Sequence, residues 1–492
     1  MCKEDFSGKK VLVMGLGLNG GGVESARFLA SMGARVTVTD LQDEKALAPS
    51  IKKLEESIAC GRKGPDFPVR YVLGRHNMED FEDADLVVKN PGVKPDSPYL
   101  QKARRIETDI SLFLSVSEAR LIAVTGSKGK STTVSALHYV LDKAHRAGLA
   151  DSQNKSGGKA YVGGNITVSP LSFLDRLTKN DDVVLELSSW QLGDLLPGMN
   201  SERKTPLLKP RCAVITSIMP DHLDRYGSME AYIADKRIIY KWQDKEDATI
   251  AENDDWGKSF LAESKGRPLV YSGSPVEGRF FPPGGWLSAD DGPALGRLHS
   301  GEQPLELVPQ KLLTLGRHQK KNLLAAALAL LDLGIPPGFI RESLETFPGM
   351  EHRLEYFYEN GGVRFYNDSA ATIPEAAAAA VAAFDKPPIL VTGGSDKGLD
   401  YGPLVKAAGK VKKLILLAGT GTDKLIPLFD SAGTAYLGPF NSVEKAALEA
   451  AREASPGDCV VLSPGCTSFE MFLNEFDRGT KWKEAVLGIK KA

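Results

Sequence analysis

The stretch Val124 to Thr133 reads VTGSKGKSTT. Gly129, Lys130 and Ser131 match the end of the phosphate-loop pattern G-x-x-x-x-G-K-[ST], but Val124 stands where its first glycine belongs. The chemistry does not depend on every glycine. It needs backbone N–H groups turned inward, a lysine to balance phosphate charge and a hydroxyl for Mg2+. A shorter loop can open at Gly126, run through Ser127, Lys128 and Gly129, and present Lys130, Ser131 and Thr132 to phosphates. The apolar LIAV before it and the helical pattern after it supply the strand–turn–helix context the motif requires. The competing reading, a solvated Gly/Lys turn, needs no buried strand. ATP binding is the expectation. Lys128 either adds charge beside the phosphates or points outward.

A second glycine turn lies near the start of the chain. Gly15, Gly17 and Gly20, with Leu18 and Asn19 between them, form G-x-G-x-x-G between a strand and a helix pattern, and Asp40 closes the next strand. Such glycines let a pyrophosphate approach a helix N-terminus, and the acid bonds a ribose hydroxyl. The turn does not choose its nucleotide, since NAD and a UDP-sugar share these parts. An NAD-dependent oxidoreductase is therefore one alternative, but it leaves the phosphate loop unexplained. A tight turn that binds nothing is another.

Three further residues suit a phosphate site, each with a plainer reading beside it. Glu186 ends the strand DVVLELSS and suits Mg2+ held with nucleotide phosphates, or else faces solvent. His222, between two aspartates in PDHLDRY, is a metal ligand or a polar loop residue. Lys236, in the helical stretch MEAYIADKRIIY, reads by composition as an exposed helix lysine.

These residues must be positioned by strands, and the strand pattern is regular. KKVLVMG, ARVTVTD and DLVVKNPGV occupy the first region, LIAV, DVVLELSS and CAVITSI the second, and GVRFYNDS, PPILVTGGS, KKLILLAGTG and DCVVLSPG the third. Most end in a small-residue loop, and helical patterns alternate with them. That predicts parallel βαβ structure with ligands at the carboxyl ends of strands. Ser272 to Pro304 is rich in Gly and Pro and predicts loops with short β structure. The apolar stretch Leu323 to Leu333 is too short to span a bilayer and predicts a buried helix. The chain has 492 residues, too many for one core, and three domains are expected at 1–118, 119–347 and 348–492. A formal net charge of −2 gives no electrostatic case for nucleic acid or a membrane surface. Five scattered cysteines without a C-x-x-C pair, and no apolar signal segment at MCKEDFSGKKVLVMG, predict a cytoplasmic protein with free thiols.

Taken together, the motifs GLGLNG, KNPGV, TDISLF, VTGSKGKST, VGGN, LELSSWQL, DHLDRY, ADKRIIY, GRHQKKN, EHRLE, NDSAAT, GGSDKG and SPGCTSFEMF, in this order, resemble the Mur ligase family of bacterial cell-wall synthesis. The resemblance covers essentially the whole chain. The family uses the short loop G-[ST]-x-G-K-[ST], which makes Val124 the last strand residue. The resemblance implies an α/β protein of three domains. A Rossmann-like first domain would hold UDP, a central P-loop ATPase domain with a mostly parallel sheet would hold ATP, and a Rossmann-like third domain would hold an amino acid. It implies amide-bond formation between UDP-N-acetylmuramoyl-L-alanine and an amino acid, D-glutamate being expected, by a monomer that uses ATP, two Mg2+ sites and a carbamylated lysine. Gly15, Gly17, Leu18, Asn19, Gly20, Asp40, Asn90, Pro91, Gly92 and Asn165 would then serve the UDP substrate. Lys130, Ser131 and Glu186 would hold the ATP phosphates and the first Mg2+, while His222 and carbamylated Lys236 would hold the second. Asn322 would lie near adenine, Arg353 at the γ-phosphate and Asp368 at the ribose. Thr372, Lys397, Ser468 and Phe476 would form the amino-acid pocket.

The chain departs from the family at two places. DSAATI replaces the usual DSKATN, so Ala370 and Ile373 stand for a lysine and an asparagine near the amino-acid site. Lys128 stands where the family often has Asn. A family ligase using another amino acid, and a non-catalytic ATP-binding regulator, are the alternatives these departures leave.

Overall fold

The computed structural model describes residues 5–18, 20–59, 67–150, 157–166, 168–196, 208–276, 282–289 and 292–489. Two compact units emerge, Met1–Val308 with Lys321–Ser343, and Pro309–Lys320 with Leu344–Ala492.

The first unit contains two sheets. Strands β1 (Lys10–Met14), β2 (Arg35–Asp40), β3 (Arg70–Leu73), β4 (Leu86–Lys89) and β5 (Ile106–Glu107) form a wholly parallel sheet in the order β3-β2-β1-β4-β5. The strand order reverses between β1 and β4, and such a switch point is where open α/β sheets receive ligands. The register pairs Met14 with Lys89, so the turn beginning at Gly15 lies beside Asn90. Two segments far apart in sequence are neighbours for that reason alone.

The second sheet holds β6 (Arg120–Thr125), β7 (Ala160–Gly164), β8 (Asp182–Glu186), β9 (Cys212–Ile215), β10 (Ala248–Glu252), β11 (Arg267–Ser272), β12 (Gly284–Leu287), β13 (Ala294–Arg297) and β14 (Leu305–Val308). Its order is β14-β13-β12-β11-β10-β9-β6-β8-β7, parallel from β7 to β12 and antiparallel over the last three. β6 is buried on both faces through Ile122, Ala123 and Val124, as a central parallel strand must be. Its register pairs Val124 with Glu186 and Thr125 with Ile215. The phosphate-loop turn, the Glu186 carboxylate and the segment leading to His222 therefore share one sheet end. The short β structure expected between Ser272 and Pro304 is present among the described residues as the antiparallel pair β12 and β13.

The second unit has one sheet of β15 (Glu355–Asn360), β16 (Val363–Asn367), β17 (Ile389–Thr392), β18 (Lys413–Leu417), β19 (Leu437–Phe440) and β20 (Cys459–Leu462). Only β15 runs antiparallel, and the order is β15-β16-β20-β17-β18-β19. Asn367 pairs with Leu462, which brings Asp368 beside Ser463. The helix Arg317–Asp332 buries Leu323 through Leu330 on all sides, as its continuous apolar run implies. No helix among the described residues is long and apolar enough to cross a membrane. Cys212, Cys459 and Cys466 are free thiols, and Cys2 and Cys60 lie outside the described residues.

Candidate active site

The turn after β6 ends at Gly129, which N-caps the helix Lys130–Arg146 with no side-chain capping bond. Glycine is demanded twice over at that cap. Its φ is 94°, and Asn322 Oδ1 lies 2.4 Å from where a Cβ would stand. The free N–H groups at such a helix start form an anion site. The outer wall of the loop is fixed by Ser217, whose carbonyl accepts the N–H of Ser127 at 2.8 Å and of Lys128 at 3.4 Å. The Ser127 hydroxyl donates to the Met219 carbonyl at 2.8 Å and meets the Tyr232 hydroxyl at 2.9 Å, so this side chain braces the loop. The Lys128 side chain is exposed.

Lys130 Nζ donates to the carbonyls of Gly126 and Ser127 at 2.9 and 3.1 Å. Lys236 Nζ donates to the same Gly126 carbonyl at 3.0 Å. Two ammonium groups thus meet at one backbone oxygen, an arrangement suited to an anion. Lys236 is 2% exposed, which removes the surface-lysine reading. Burial first, and then the charge of Lys130, bring its ammonium down to about 7.

Glu186 is also buried, which removes the solvent-facing reading. Its Oε1 accepts from Asn165 Nδ2 at 2.9 Å, while its Oε2 is buried without a hydrogen-bond partner. A buried unsatisfied carboxylate oxygen is costly unless something binds it, and a cation fits. His222 adopts a left-handed backbone, φ 52°, and its ring lies 5.0 Å from that of Trp190. Among the described residues no group of three or more His, Cys, Asp or Glu side chains is placed to hold a metal. Mg2+ at nucleotide sites ordinarily takes one or two carboxylates plus phosphate oxygens, and the unpartnered Glu186 oxygen has the chemistry of one such ligand.

One cleft of about 480 Å³ gathers most of these groups. Gly126, Lys130, Asn165, His222 and Lys236 line it, and Asn90, Pro91 and Gly92 reach it from the first sheet. Gly15, Gly17 and Asp40 stand behind that loop. Asn90 Cβ is 3.0 Å from where a Cβ on Gly15 would stand, and Asp40 accepts the N–H groups of Gly17 and Gln42 at 3.1 and 2.9 Å. Gly20 N-caps the helix Gly21–Ser31 in a left-handed conformation, Leu18 is exposed, and Asn19 lies outside the described residues. Ser131 and Thr132 occupy the first turn of the phosphate-loop helix, and Asn322 packs on Gly129.

The sequence reading passed over several lining residues. Ser188 and Gln191 form a reciprocal capping box, Gln191 N–H to Ser188 Oγ at 3.2 Å and Ser188 N–H to Gln191 Oε1 at 3.0 Å. The S-x-x-Q spacing was the signal for it. Asp109 accepts the Ser169 hydroxyl at 3.0 Å on the cleft wall, and burial raises its carboxyl.

The second unit carries the remaining candidates. Arg353 is exposed between His352 and Leu354, both left-handed at φ 62° and 46°. Asp368 Oδ1 accepts the Leu354 N–H at 3.0 Å and Oδ2 the Ser463 hydroxyl at 2.6 Å, while burial pushes its carboxyl up to about 6. Thr372 is half-buried, Ser468 is buried, and Lys397 and Phe476 are exposed. Ser468 borders a small hollow with Gly394, Ser395 and Glu470, and none of Thr372, Lys397 or Phe476 lines it. The Phe476 ring instead lies 5.6 Å from that of His352.

This order of motifs on three α/β sheets has known relatives. Residues 9–111 match the Mur ligase MurD-like N-terminal domain, 124–330 the Mur ligase middle domain, and 352–466 the Mur ligase glutamate ligase domain. The chain belongs to the Mur ligase family. It is 41% identical to the UDP-N-acetylmuramoylalanine–D-glutamate ligase of Treponema pallidum (strain Nichols), over 98% of each chain. It is 39% identical to the enzyme of the same name from Roseiflexus sp. (strain RS-1), over 98% of this chain and 99% of that one. The fold resembles the crystal structure of UDP-N-acetylmuramate-alanine ligase MurC from Thermotoga maritima, with a TM-score of 0.55 at 19% identity, over 98% of this chain and 100% of the other. It also resembles MurF from Acinetobacter baumannii, with a TM-score of 0.53 at 15% identity, over 98% and 94%. As a Mur ligase the protein is an ATP-dependent enzyme of peptidoglycan-precursor synthesis. Its first glycine turn falls within the MurD-like domain, which gives the oxidoreductase alternative no support.

Proposed function

We propose that this Mur ligase joins D-glutamate to the alanine carboxylate of UDP-N-acetylmuramoyl-L-alanine. The observation that carries this is the convergence, in a chain about 40% identical to such ligases over its length, of Lys130, Lys236, Asn165 and the Asn90–Gly92 turn on one cleft. Residues 1–118 bind the UDP end, 119–347 bind ATP, and 348–492 bind the amino acid. Gly15, Gly17, Gly20 and Asp40 shape the turn that receives the pyrophosphate and ribose. Asn322 serves the adenine, Arg353 the γ-phosphate and Asp368 the ribose of ATP. Thr372, Lys397, Ser468 and Phe476 serve the amino acid. The reading includes a monomeric, cytoplasmic enzyme.

The chemistry follows from charge. The alanine carboxylate attacks the γ-phosphorus of ATP, ADP leaves, and an acyl phosphate forms. Lys130 and the helix N-terminus behind it balance the negative charge that grows during transfer. The neutral amine of D-glutamate then attacks the acyl carbon, phosphate leaves, the surplus proton of the nitrogen passes to the departing phosphate or to solvent, and an amide remains. When bound, Mg2+ would supply positive charge at the phosphates. Ser131 and Glu186 would hold one ion. His222 and Lys236, the latter as its carbamate, would hold a second. The lowered Lys236 ammonium supports that modification, because a neutral amine is the form that adds CO2.

The test is phosphate release by the purified chain with UDP-N-acetylmuramoyl-L-alanine, ATP and Mg2+, screened over D- and L-amino acids. D-Glutamate is expected to give the signal. Release with another amino acid alone would overturn the specificity, and no release with any would overturn the ligase reading of the cleft. Lys130→Ala is expected to lower the rate by about 1,000-fold or more.

A further inference from the structure

A buried ion pair joins the two sheets of the first unit, and none of the roles above uses it. Lys89 is the last residue of β4 and the residue before Asn90. Its Nζ lies 2.7 Å from Asp194 Oδ2, with both side chains almost wholly out of solvent. Asp194 C-caps the helix Ser189–Gly193, whose opposite end carries the Ser188–Gln191 capping box. The well-directed hydrogen bond of Lys89 goes to the Val93 carbonyl at 3.1 Å. One ammonium therefore closes the turn over Asn90–Val93 and also holds the helix through Asp194.

The surroundings extend the link. Arg225 is the next charge acting on both members of the pair, and its guanidinium lies 4.0 Å over the Trp190 ring. Asp235 also acts on Asp194, and it packs against Gly193, where a Cβ would come within 2.5 Å of its Oδ2. Burial raises the Asp194 carboxyl to about 6 and lowers the Lys89 ammonium, so both groups are held at a cost in solvation. Apolar side chains of similar volume would stabilise such a site as well or better, and the best-attested use of a buried charge pair is to specify register.

We propose that Lys89 and Asp194 are a positioning pair that sets the spacing between the Asn90–Gly92 turn and the Ser188–Gln191 segment, and thereby shapes the cleft for the UDP-sugar part of the substrate. Both segments line the cleft, whereas Lys89 and Asp194 do not. The pair acts through its neighbours and touches no reacting atom. The inference rests on the substrate reading given above.

Calorimetric titration of the full chain with UDP-N-acetylmuramoyl-L-alanine and, separately, with ADP and Mg2+ tests it. The variants are Lys89→Met, Asp194→Asn and the double variant Lys89→Met/Asp194→Met. All three are expected to bind the UDP-sugar at least about tenfold more weakly, the scale of one lost hydrogen bond, while ADP affinity holds within about twofold. The double variant is expected to recover the thermal midpoint that the single variants lose, because no charge is left buried alone. It keeps the test available should Lys89→Met fail to fold. Wild-type affinity for the UDP-sugar in the folded double variant would overturn the positioning role. So would a parallel loss of ADP affinity, which marks general damage. A wild-type chain that binds no UDP-sugar would overturn the substrate reading, and the positioning role with it.

Discussion

Two buried sites, one in each unit, hold charge in opposite ways. In the first, Glu186 keeps an oxygen without a partner and two lysines converge on one carbonyl. In the second, the fully buried Arg478 has every nitrogen in a hydrogen bond. Its Nε donates to Ser369 Oγ at 2.9 Å, and its two terminal nitrogens donate to the carbonyls of Ser369, Cys466 and Thr467 at 2.8 to 3.2 Å. Buried polar groups are normally paired, so an unpaired one calls for a ligand and a paired one for a structural explanation. Glu186 holds charge in reserve for something that binds, unlike the paired Lys89 and Asp194 of the same unit. The second site uses charge to tie the DSAAT loop to the loop after β20.

Substitution at each position breaks or sharpens that contrast. Glu186→Gln keeps the shape and the acceptor for Asn165 but removes the unmatched charge. Phosphate release is expected to fall by about 100-fold to 1,000-fold, with the thermal midpoint unchanged or raised. Steady-state rates over a Mg2+ titration, beside a thermal melt, check both halves. A melt that falls with the rate would make Glu186 a structural residue. Arg478→Met is expected to do the reverse. It strands a cluster of buried carbonyls and should cost about 3 kcal/mol of stability. Denaturant unfolding reads that loss, while ATP and UDP-sugar affinities are expected to stay near wild type.

Asp368 offers a pH-resolved version of the same comparison. Its carboxyl is raised to about 6, from an ordinary value near 4, chiefly by burial. The folded state therefore holds a proton in that window that the unfolded chain releases. The associated stability is fully present below about pH 4 and is lost as pH rises through about 6. Asp368→Asn should flatten that slope, which is worth about 3 kcal/mol across the window. Unfolding midpoints at several pH values decide it, and an unchanged slope would assign the titration to another group.

Much of the first unit's site was legible in the sequence because strand ends and glycine turns announce themselves. GSKGKS after an apolar strand, and an acid closing DVVLE, became neighbours through the register of β6 and β8. Lys236 was not legible as a buried group. Its helix has ordinary composition, and only the packing of Tyr232 and the phosphate loop around it brings it indoors. The Lys89–Asp194 pair was invisible for a related reason. More than one hundred residues separate its members, and no local pattern encodes which distant carboxylate a strand-end lysine will meet. In the second unit the motifs were legible as strand-end segments, but nothing local in the sequence encodes how Thr372, Lys397, Ser468 and Phe476, carried on separate segments, are placed relative to one another.

The smallest effect is expected at Lys128, the residue that makes the phosphate loop look unusual. Its two possible roles, added phosphate charge or an outward side chain, differ in what salt would do. The structure commits its backbone N–H to the Ser217 carbonyl and leaves its side chain exposed. A charge in that position is screened over about 8 Å at physiological ionic strength and contributes little at short range unless it is desolvated. Lys128→Asn is therefore expected to change KM for ATP by less than about threefold, with most of that change disappearing at high salt. Lys130→Ala, two residues along the same loop, provides the scale. A loss of tenfold or more at Lys128 that persisted in high salt would mean its ammonium turns inward when nucleotide binds, and would move it into the phosphate cradle beside Lys130.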